Sequence, residues 1–277
     1  MLRAGLLQLN SGEDPSANLP VTKALIAEAA GQGATFILTP EVTNCVSASR
    51  DHQRDVLRPE GEDVTLAALR RQAGALGIWL LIGSLALRTG DPDGRFANRS
   101  FLISPEGGIV ARYDKMHMFD VEISRTESYR ESAGYRPGSA AVLAQAGFGA
   151  VGMTICYDLR FPGLYRHLAQ SGAEILTVPS AFSPVSGAAH WETLLRARAI
   201  ETGCFVLAPA QCGTHAARSG KARQTHGHTM AVGPWGDILA DGGEGEGVII
   251  VDLDMDAVAQ ARQRIPSLSN GKTFQSP

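Results

Sequence analysis

Apolar runs and helical stripes alternate along this chain, and their spacing predicts most of its elements. Leu2 to Leu9 is a mostly apolar run that reads as a buried strand. Asp14-Pro15 then supplies an N-cap and a first-turn proline. Val21, Leu25, Ile26 and Ala29 recur at helical spacing up to Gly31 and Gly33. Thr35 to Leu38 is a short apolar strand stopped by Thr39-Pro40-Glu41. Proline cannot donate to a central ladder, so Glu41 is expected at the strand's C-terminal end. A second helix is expected over about Asp63 to Leu76, followed by a strand at Ile78 to Ile82.

The middle differs. Ala97 to Ile103 and Ile109 to Tyr113 read as strands joined by Ser104-Pro105-Glu106-Gly107-Gly108, a hairpin signal. Asp114 to Gly138 is polar and aromatic with little periodicity, and a loop of that length inside a compact domain is usually functional. Alternation then resumes: strands at Ala150 to Ile155, Glu174 to Val178 and Phe205 to Ala208, with helices at Pro162 to Gln170 and about Ala189 to Thr202 between them. Thr229 to Val232, Ile238 to Ala240 and Val248 to Val251 add strands, Asp254 to Arg264 a last helix, and Ser267 to Pro277 a polar tail. With no linker, low-complexity block or sequence repeat, the chain reads as one mixed α/β layered domain over 1–277, its core running from about residue 2 to 265. Periodicity leaves open whether that domain holds one sheet or two.

Composition narrows the function classes. At 44% hydrophobic and 19% charged over 277 residues, the chain can bury about three-quarters of its open surface and is unlike a disordered protein. A formal net charge of −3 gives no reason to expect nucleic acid or an anionic membrane as partner. No stretch reaches the length of a membrane span, and the N-terminal apolar run is too short for a signal peptide. Cys45, Cys156, Cys204 and Cys212 form no C-x-x-C pair. The expectation is a cytoplasmic protein with reduced thiols.

Some motifs carry less than they suggest. Gly147-Phe148-Gly149-Ala150-Val151-Gly152 matches G-x-G-x-x-G, but it precedes a strand instead of opening a helix, so it reads as a glycine-rich turn. Gly213 to Lys221 has the wrong spacing for a phosphate loop. Cys212, His215, His226 and His228 lie close in sequence without a zinc spacing. No metal and no cofactor is expected.

The chemistry points to Met153-Thr154-Ile155-Cys156-Tyr157-Asp158-Leu159-Arg160-Phe161-Pro162. There an apolar strand ends at a cysteine and a helix begins a few residues later. Such a thiol stands on a tight turn near a helix N-terminus and near Arg160, both of which favour thiolate. The Tyr157 N–H is expected to face the space where an oxyanion would form. The ordinary alternative is a small buried hydrophobe. Glu41 is a candidate general base if burial raises its pKa, and Lys115, just after the third strand of this set, is a candidate fixed cation. Taken singly, a capping glutamate and a solvated lysine explain them as well.

Together, Thr39-Pro40-Glu41, Tyr113-Asp114-Lys115-Met116-His117 and Thr154-Ile155-Cys156-Tyr157-Asp158-Leu159-Arg160-Phe161 resemble, in order and separation, the catalytic blocks of the nitrilase superfamily of carbon–nitrogen hydrolases. The resemblance runs from Leu2 to about Val251. It implies a four-layer αββα sandwich of two mixed sheets flanked by helices, paired into a homodimer or higher homo-oligomer. It also implies Glu41 as base, Lys115 as oxyanion cation, Cys156 as nucleophile and Glu131, in Tyr129-Arg130-Glu131-Ser132, as a second glutamate that positions Lys115 or the substrate.

Ala188-Ala189-His190-Trp191-Glu192 and Arg196 to Glu201 resemble the amidase branch, and Ala208 to His215, His226-Gly227-His228-Thr229-Met230 and Pro234-Trp235-Gly236 look most like deaminated glutathione amidases, whose close kin are ω-amidases. The implied partner is a small carboxylate-bearing amide, with Tyr157, Arg160 and His190 as substrate-binding candidates and Arg160 as a two-pronged carboxylate donor. The details of the Gly213 to Thr225 loop do not match that branch. Three rivals remain at this stage: a Cys–His hydrolase using His117 or His190, a nitrilase acting on nitriles, and a non-catalytic binding protein.

Overall fold

A computed structural model describes residues 1–124, 127–218, 222–273 and 275. In the first half the order is β1 (Leu2–Gln8), α1 (Pro15–Gly31), β2 (Phe36–Leu38), α2 (Arg50–Val56), α3 (Val64–Leu76), β3 (Trp79–Arg88), β4 (Phe96–Ile103), β5 (Ile109–Asp114), β6 (Asp120–Ser124) and β7 (Glu127–Arg130). The second half follows with β8 (Val142–Ala146), β9 (Gly149–Met153), α4 (Pro162–Gln170), β10 (Ile175–Thr177), α5 (Pro184–Thr202) and β11 (Phe205–Ala208). It ends with β12 (Cys212–Thr214), β13 (Gln224–His226), β14 (Met230–Val232), β15 (Ile238–Asp241), β16 (Gly247–Leu253) and α6 (Asp256–Arg264).

Two six-stranded mixed sheets form the centre, ordered β16-β1-β2-β3-β4-β5 and β15-β14-β11-β10-β9-β8. In each, three parallel strands (β1, β2, β3 and β9, β10, β11) are bordered by antiparallel ones. The halves therefore repeat a topology without repeating a sequence. The period of two along each strand explains the layering. Leu2, Ala4, Leu6, Phe36, Leu38, Leu81 and Leu102 point into the core shared with the second sheet, among Val151, Met153 and Ile175. Their neighbours Leu7, Ile37, Leu80, Ile82, Phe101 and Ile103 point the other way, onto Ile26 and Ala29 of α1 and Leu66, Leu69 and Ala73 of α3. The architecture is the αββα sandwich. Asp14 and Asp63 cap α1 and α3 by accepting hydrogen bonds from Ser16 N (2.9 Å) and Leu66 N (2.7 Å), each worth about 1 kcal/mol.

Some elements have no counterpart in the periodicity. The segment between Asp114 and Gly138 is not one long loop, for β6 and β7 pair within it as an antiparallel ribbon. α2 reads Arg-Asp-His-Gln-Arg-Asp-Val and has no apolar stripe to reveal it. β8 is a half-exposed strand at a sheet edge, and β12 and β13 form a short polar ribbon. α5 starts several residues before Ala189, because Ser183 caps it and Pro184 sits at its first position. Of the glycines of 147–152, Gly147 makes the turn between β8 and β9 with Phe148, while Gly149 and Gly152 lie within β9. The phosphate-loop-like stretch 213–221 includes residues 219–221, which lie outside the described residues, as do positions 274, 276 and 277 of the polar tail. The start of that tail is docked, since Arg166 donates to the carbonyls of Ser267 and Leu268.

Candidate active site

β2 ends one residue before Thr39-Pro40-Glu41, and a break in β3 grips the turn that follows. The β3–β4 ladder skips between Ile82 and Leu85, and the released Gly83 and Ser84 bond to the Glu41 turn instead. Gly83 N donates to Thr39 Oγ1 (3.0 Å), Ser84 N to Pro40 O (3.2 Å), Val42 N to Ser84 Oγ (2.7 Å) and Thr43 N to Ser84 O (2.9 Å). A Cβ on Gly83 would fall 1.9 Å from Thr39 O and 2.6 Å from Pro179 Cβ, so glycine is required by close approach. Val42 sits at φ 47°, costly for a β-branched residue.

Cys156 also takes a positive φ, 49°, on the single-turn helix of residues 156–160 that joins β9 to α4. Its N–H donates to Pro179 O (3.0 Å). The turn is tied down by Asp158, which is fully buried. Its Oδ2 accepts from Ile155 N (2.8 Å) and from the Tyr113 hydroxyl (2.7 Å), and its Oδ1 accepts from His117 N (3.1 Å) and meets His117 Nδ1 at 2.7 Å. Tyr113 and His117 flank Lys115 by two residues on either side. One buried carboxylate thus fastens the cysteine turn to the segment carrying the lysine.

Lys115 and Glu41 are both buried and meet at 2.8 Å between Nζ and Oε1. Lys115 Nζ also donates to both oxygens of Glu131, at 3.0 and 2.9 Å. Asn98 Nδ2 donates to Glu41 Oε1 (2.9 Å), Ala181 N to Glu41 Oε2 (2.9 Å) and Phe119 N to Glu131 Oε2 (2.7 Å). Among the described residues Asn98 Oδ1 is buried without a hydrogen-bond partner.

These contacts set the charges. Burial pushes Glu41 up, but the Lys115 charge and hydrogen bond, with Arg223, hold its carboxyl below the usual range. The expected rise of Glu41 towards neutrality does not occur, because a cation at 2.8 Å outweighs desolvation. Lys115 is raised well above its ordinary value, since Glu131 and Glu41 overcome its burial. Cys156 is raised too, by burial first and then by the Glu41 charge, against which Lys115 works only partly. The expected thiolate is therefore replaced by a thiol beside an ionised acid. Arg160 does not counter this, as its guanidinium turns to His190 Nδ1 (3.3 Å) and to the Phe182 ring.

A cavity of about 460 Å³ opens over this cluster, within the range of small-molecule sites. Glu41, Lys115, Glu131, Cys156 and Tyr157 all line it, whereas Arg160 and His190 do not. His190 is exposed on α5. His117 stacks on Phe161 at 3.6 Å between ring centroids and is engaged by Asp158, so neither rival histidine reaches the cavity wall. His215 is buried with both ring nitrogens bonded, to Ser11 O (2.8 Å) and Thr225 Oγ1 (2.7 Å), and His226 stacks on His228. Among the described residues no group of three or more His, Cys, Asp and Glu is arranged to hold a metal ion. Sequence reasoning missed Asn98, Asp158 and Arg223. A buried asparagine inside the apolar run Phe96 to Ile103 was a signal. Asp158, two residues after the cysteine, was another.

A sequence model of the carbon–nitrogen hydrolases matches residues 3–263. The deaminated glutathione amidase of Yersinia enterocolitica is 38% identical over 98% of this chain and 93% of its own. The C. elegans NitFhit protein superposes with a TM-score of 0.89 at 32% identity over 98% of this chain, which spans 65% of that longer chain. A variant of the Nesterenkonia sp. AN1 amidase, solved with the acetamide moiety of fluoroacetamide covalently added at its active-site cysteine, superposes with a TM-score of 0.77 at 26% identity, over 95% of this chain and 94% of that one. A chain matched almost end to end by this family and by a relative sharing 38% of its residues is itself a carbon–nitrogen hydrolase of the nitrilase superfamily.

Proposed function

We propose that this chain is an amidase that hydrolyses a small carboxylate-bearing amide, as the deaminated glutathione amidases it resembles do, through a thioester on Cys156. The observation that carries the reading is one cavity lined by Glu41, by Lys115 at 2.8 Å from it and by Cys156.

In this reading Sγ of Cys156 bonds to the amide carbon while its proton passes to Glu41. The carbonyl electron pair moves onto oxygen, where Lys115 meets it. The C–N bond then breaks, and Glu41 returns the proton to the leaving nitrogen. Water, deprotonated by Glu41, attacks the thioester, and the thiol leaves with that proton. The first transfer runs uphill in the resting site, from a raised thiol to a lowered acid. Lys115 narrows the mismatch: as negative charge grows on the substrate oxygen, the ammonium shifts its attraction there and releases Glu41. A charge pair near 4 Å is worth about 4 kcal/mol at an effective dielectric of 20, which corresponds to about three pKa units. Glu131, which accepts from Lys115 with both oxygens, holds the ammonium in place during the exchange.

The test is turnover of deaminated glutathione, α-ketoglutaramate and a matched nitrile, with amine or ammonia release measured and a quenched reaction mapped by mass spectrometry. The reading expects amide turnover and an acyl mass on the Cys156 peptide. Turnover of the nitrile alone, or an acyl group on another residue, would overturn it.

A further inference from the structure

The catalytic cluster carries one surplus negative charge, two carboxylates around one ammonium, yet the wall around it is basic. Arg50, Arg130 and Arg223 line the same cavity. Arg130 meets Glu122 at 3.5 Å on the exposed rim. Arg50 and Arg223 are half-buried and meet no carboxylate among the described residues. Arg223 Nη2 donates to Ala181 O at 2.9 Å, and Ala181 N donates to Glu41 Oε2 at 2.9 Å, so one residue separates this guanidinium from the catalytic carboxylate. Arg50 is anchored on another part of the wall. Its Nη1 donates to Gln53 Oε1 at 2.9 Å, and its guanidinium lies 5.1 Å from the centre of the Tyr135 ring. Gly134 leaves room for it, since a Cβ there would fall 2.1 Å from Arg50 Cζ.

Arginines that support the fold look different. Arg99 bonds to both Asp114 and Glu60, and buried Arg198 bonds to Glu201 and the Leu159 carbonyl. A guanidinium offers five N–H donors in a rigid fork, and at Arg50 and Arg223 most of that fork is uncommitted among the described residues. A partly desolvated cation with no carboxylate in direct contact is unfavourable; a carboxylate entering the cavity reduces that cost and pairs with the fork in bidentate fashion.

We propose that Arg223 and Arg50 form a two-point carboxylate subsite, Arg223 taking a carboxylate near the scissile bond and Arg50 a second, more distant one, so that the site selects dianionic ligands over monoanionic and neutral ones. The role assigned to Arg160 at the sequence level passes to Arg223, which lines the cavity where Arg160 does not. As a statement about substrates the inference rests on the amidase reading; the binding test does not.

The rate of Cys156 alkylation by iodoacetamide, read by peptide mass spectrometry at fixed ionic strength, reports occupancy of the cavity. α,ω-Dicarboxylates from succinate to suberate are compared with monocarboxylates of the same length. One dicarboxylate length is expected to protect at a concentration roughly tenfold lower than its monocarboxylate, the value of about 1.4 kcal/mol from a second ion pair. Arg223→Gln and Arg50→Gln should each bring the dicarboxylate to the monocarboxylate value. Arg223→Lys, which keeps the charge without the fork, should fall between and carries the test if the glutamine variant does not fold. Dicarboxylates protecting no better than monocarboxylates, or protection unchanged in Arg223→Gln or Arg223→Lys, would overturn the subsite. Amides of the best dicarboxylate then separate the two readings. Protection without any amide turnover leaves the subsite and removes the amidase, whereas turnover without preference for a second carboxylate does the reverse.

Discussion

Lys115 is held by Glu41 and Glu131 and, in the proposed reaction, exchanges Glu41 for the substrate oxygen. Replacing it by alanine removes the oxyanion donor, a loss of about 3–4 kcal/mol, or about 10² to 10³ in kcat/KM; it also leaves Glu41 and Glu131 facing each other in a dry site. Steady-state kinetics should show the loss in kcat, and a loss carried wholly by a rise in KM would remove Lys115 from the chemistry. The pH behaviour of Glu41 follows from the sign of its shift. A carboxyl held below its ordinary value of 4.5 stabilises the folded state above that value, and the contribution disappears as pH falls through the depressed folded pKa. Denaturant melts should therefore show the stability gap between wild type and Glu41→Gln largest near neutrality and closing in acid. A gap that widens on acidification contradicts the assignment. At this scale the sequence was only partly legible. Glu41, Lys115, Glu131 and Cys156 are chemically conspicuous residues at strand ends, and the structure lines one cavity with them. Their charge states were not legible, because burial and a neighbour at 2.8 Å act in opposite directions and only geometry says which prevails.

At the scale of elements, the site depends on interruptions. The break in β3 gives up ladder bonds to hold the Glu41 turn. Gly83→Ala pushes against the Thr39 carbonyl and the Pro179 ring, and overpacking of this kind typically costs about 1–3 kcal/mol. Both stability and turnover should fall together in calorimetry and in the amidase assay; an unchanged melting temperature would mean the turn is less tightly held. Asp158 is the second such device. Asp158→Ala removes charged hydrogen bonds worth about 1.5–3 kcal/mol each and unties the cysteine turn from the lysine segment, so its kcat should drop further than that of Asp158→Asn, which retains the shape. Strands and helices with one buried face were visible as periods of two or 3.6. α2, β8 and the β6–β7 and β12–β13 ribbons were not, because polar or half-exposed elements leave no such period.

The whole molecule repeats one sheet topology, and each repeat supplies part of the site: Glu41 and Lys115 from the first, Cys156 from the second. Pairing of two copies, implied by the resemblance, is proposed across the face where Ile200, Trp235 and Ile265 stand 55%, 47% and 55% exposed, an arrangement suited to burial between partners. Light scattering should give twice the chain mass, and Trp235→Glu the mass of one chain. A monomeric wild type would exclude the pairing.

β1 pairs along its whole length with β16, Leu2 opposite Leu253 and Gln8 opposite Gly247. During synthesis β1 therefore leaves the ribosome well before the strand it pairs with. Until residue 253 is available, the edge of β1 stays open to any other nascent chain, and closing so long a loop makes completion slow. A product that ends before β16 would expose the unpaired edge of β1, and that edge, not the missing segment, would seed aggregation.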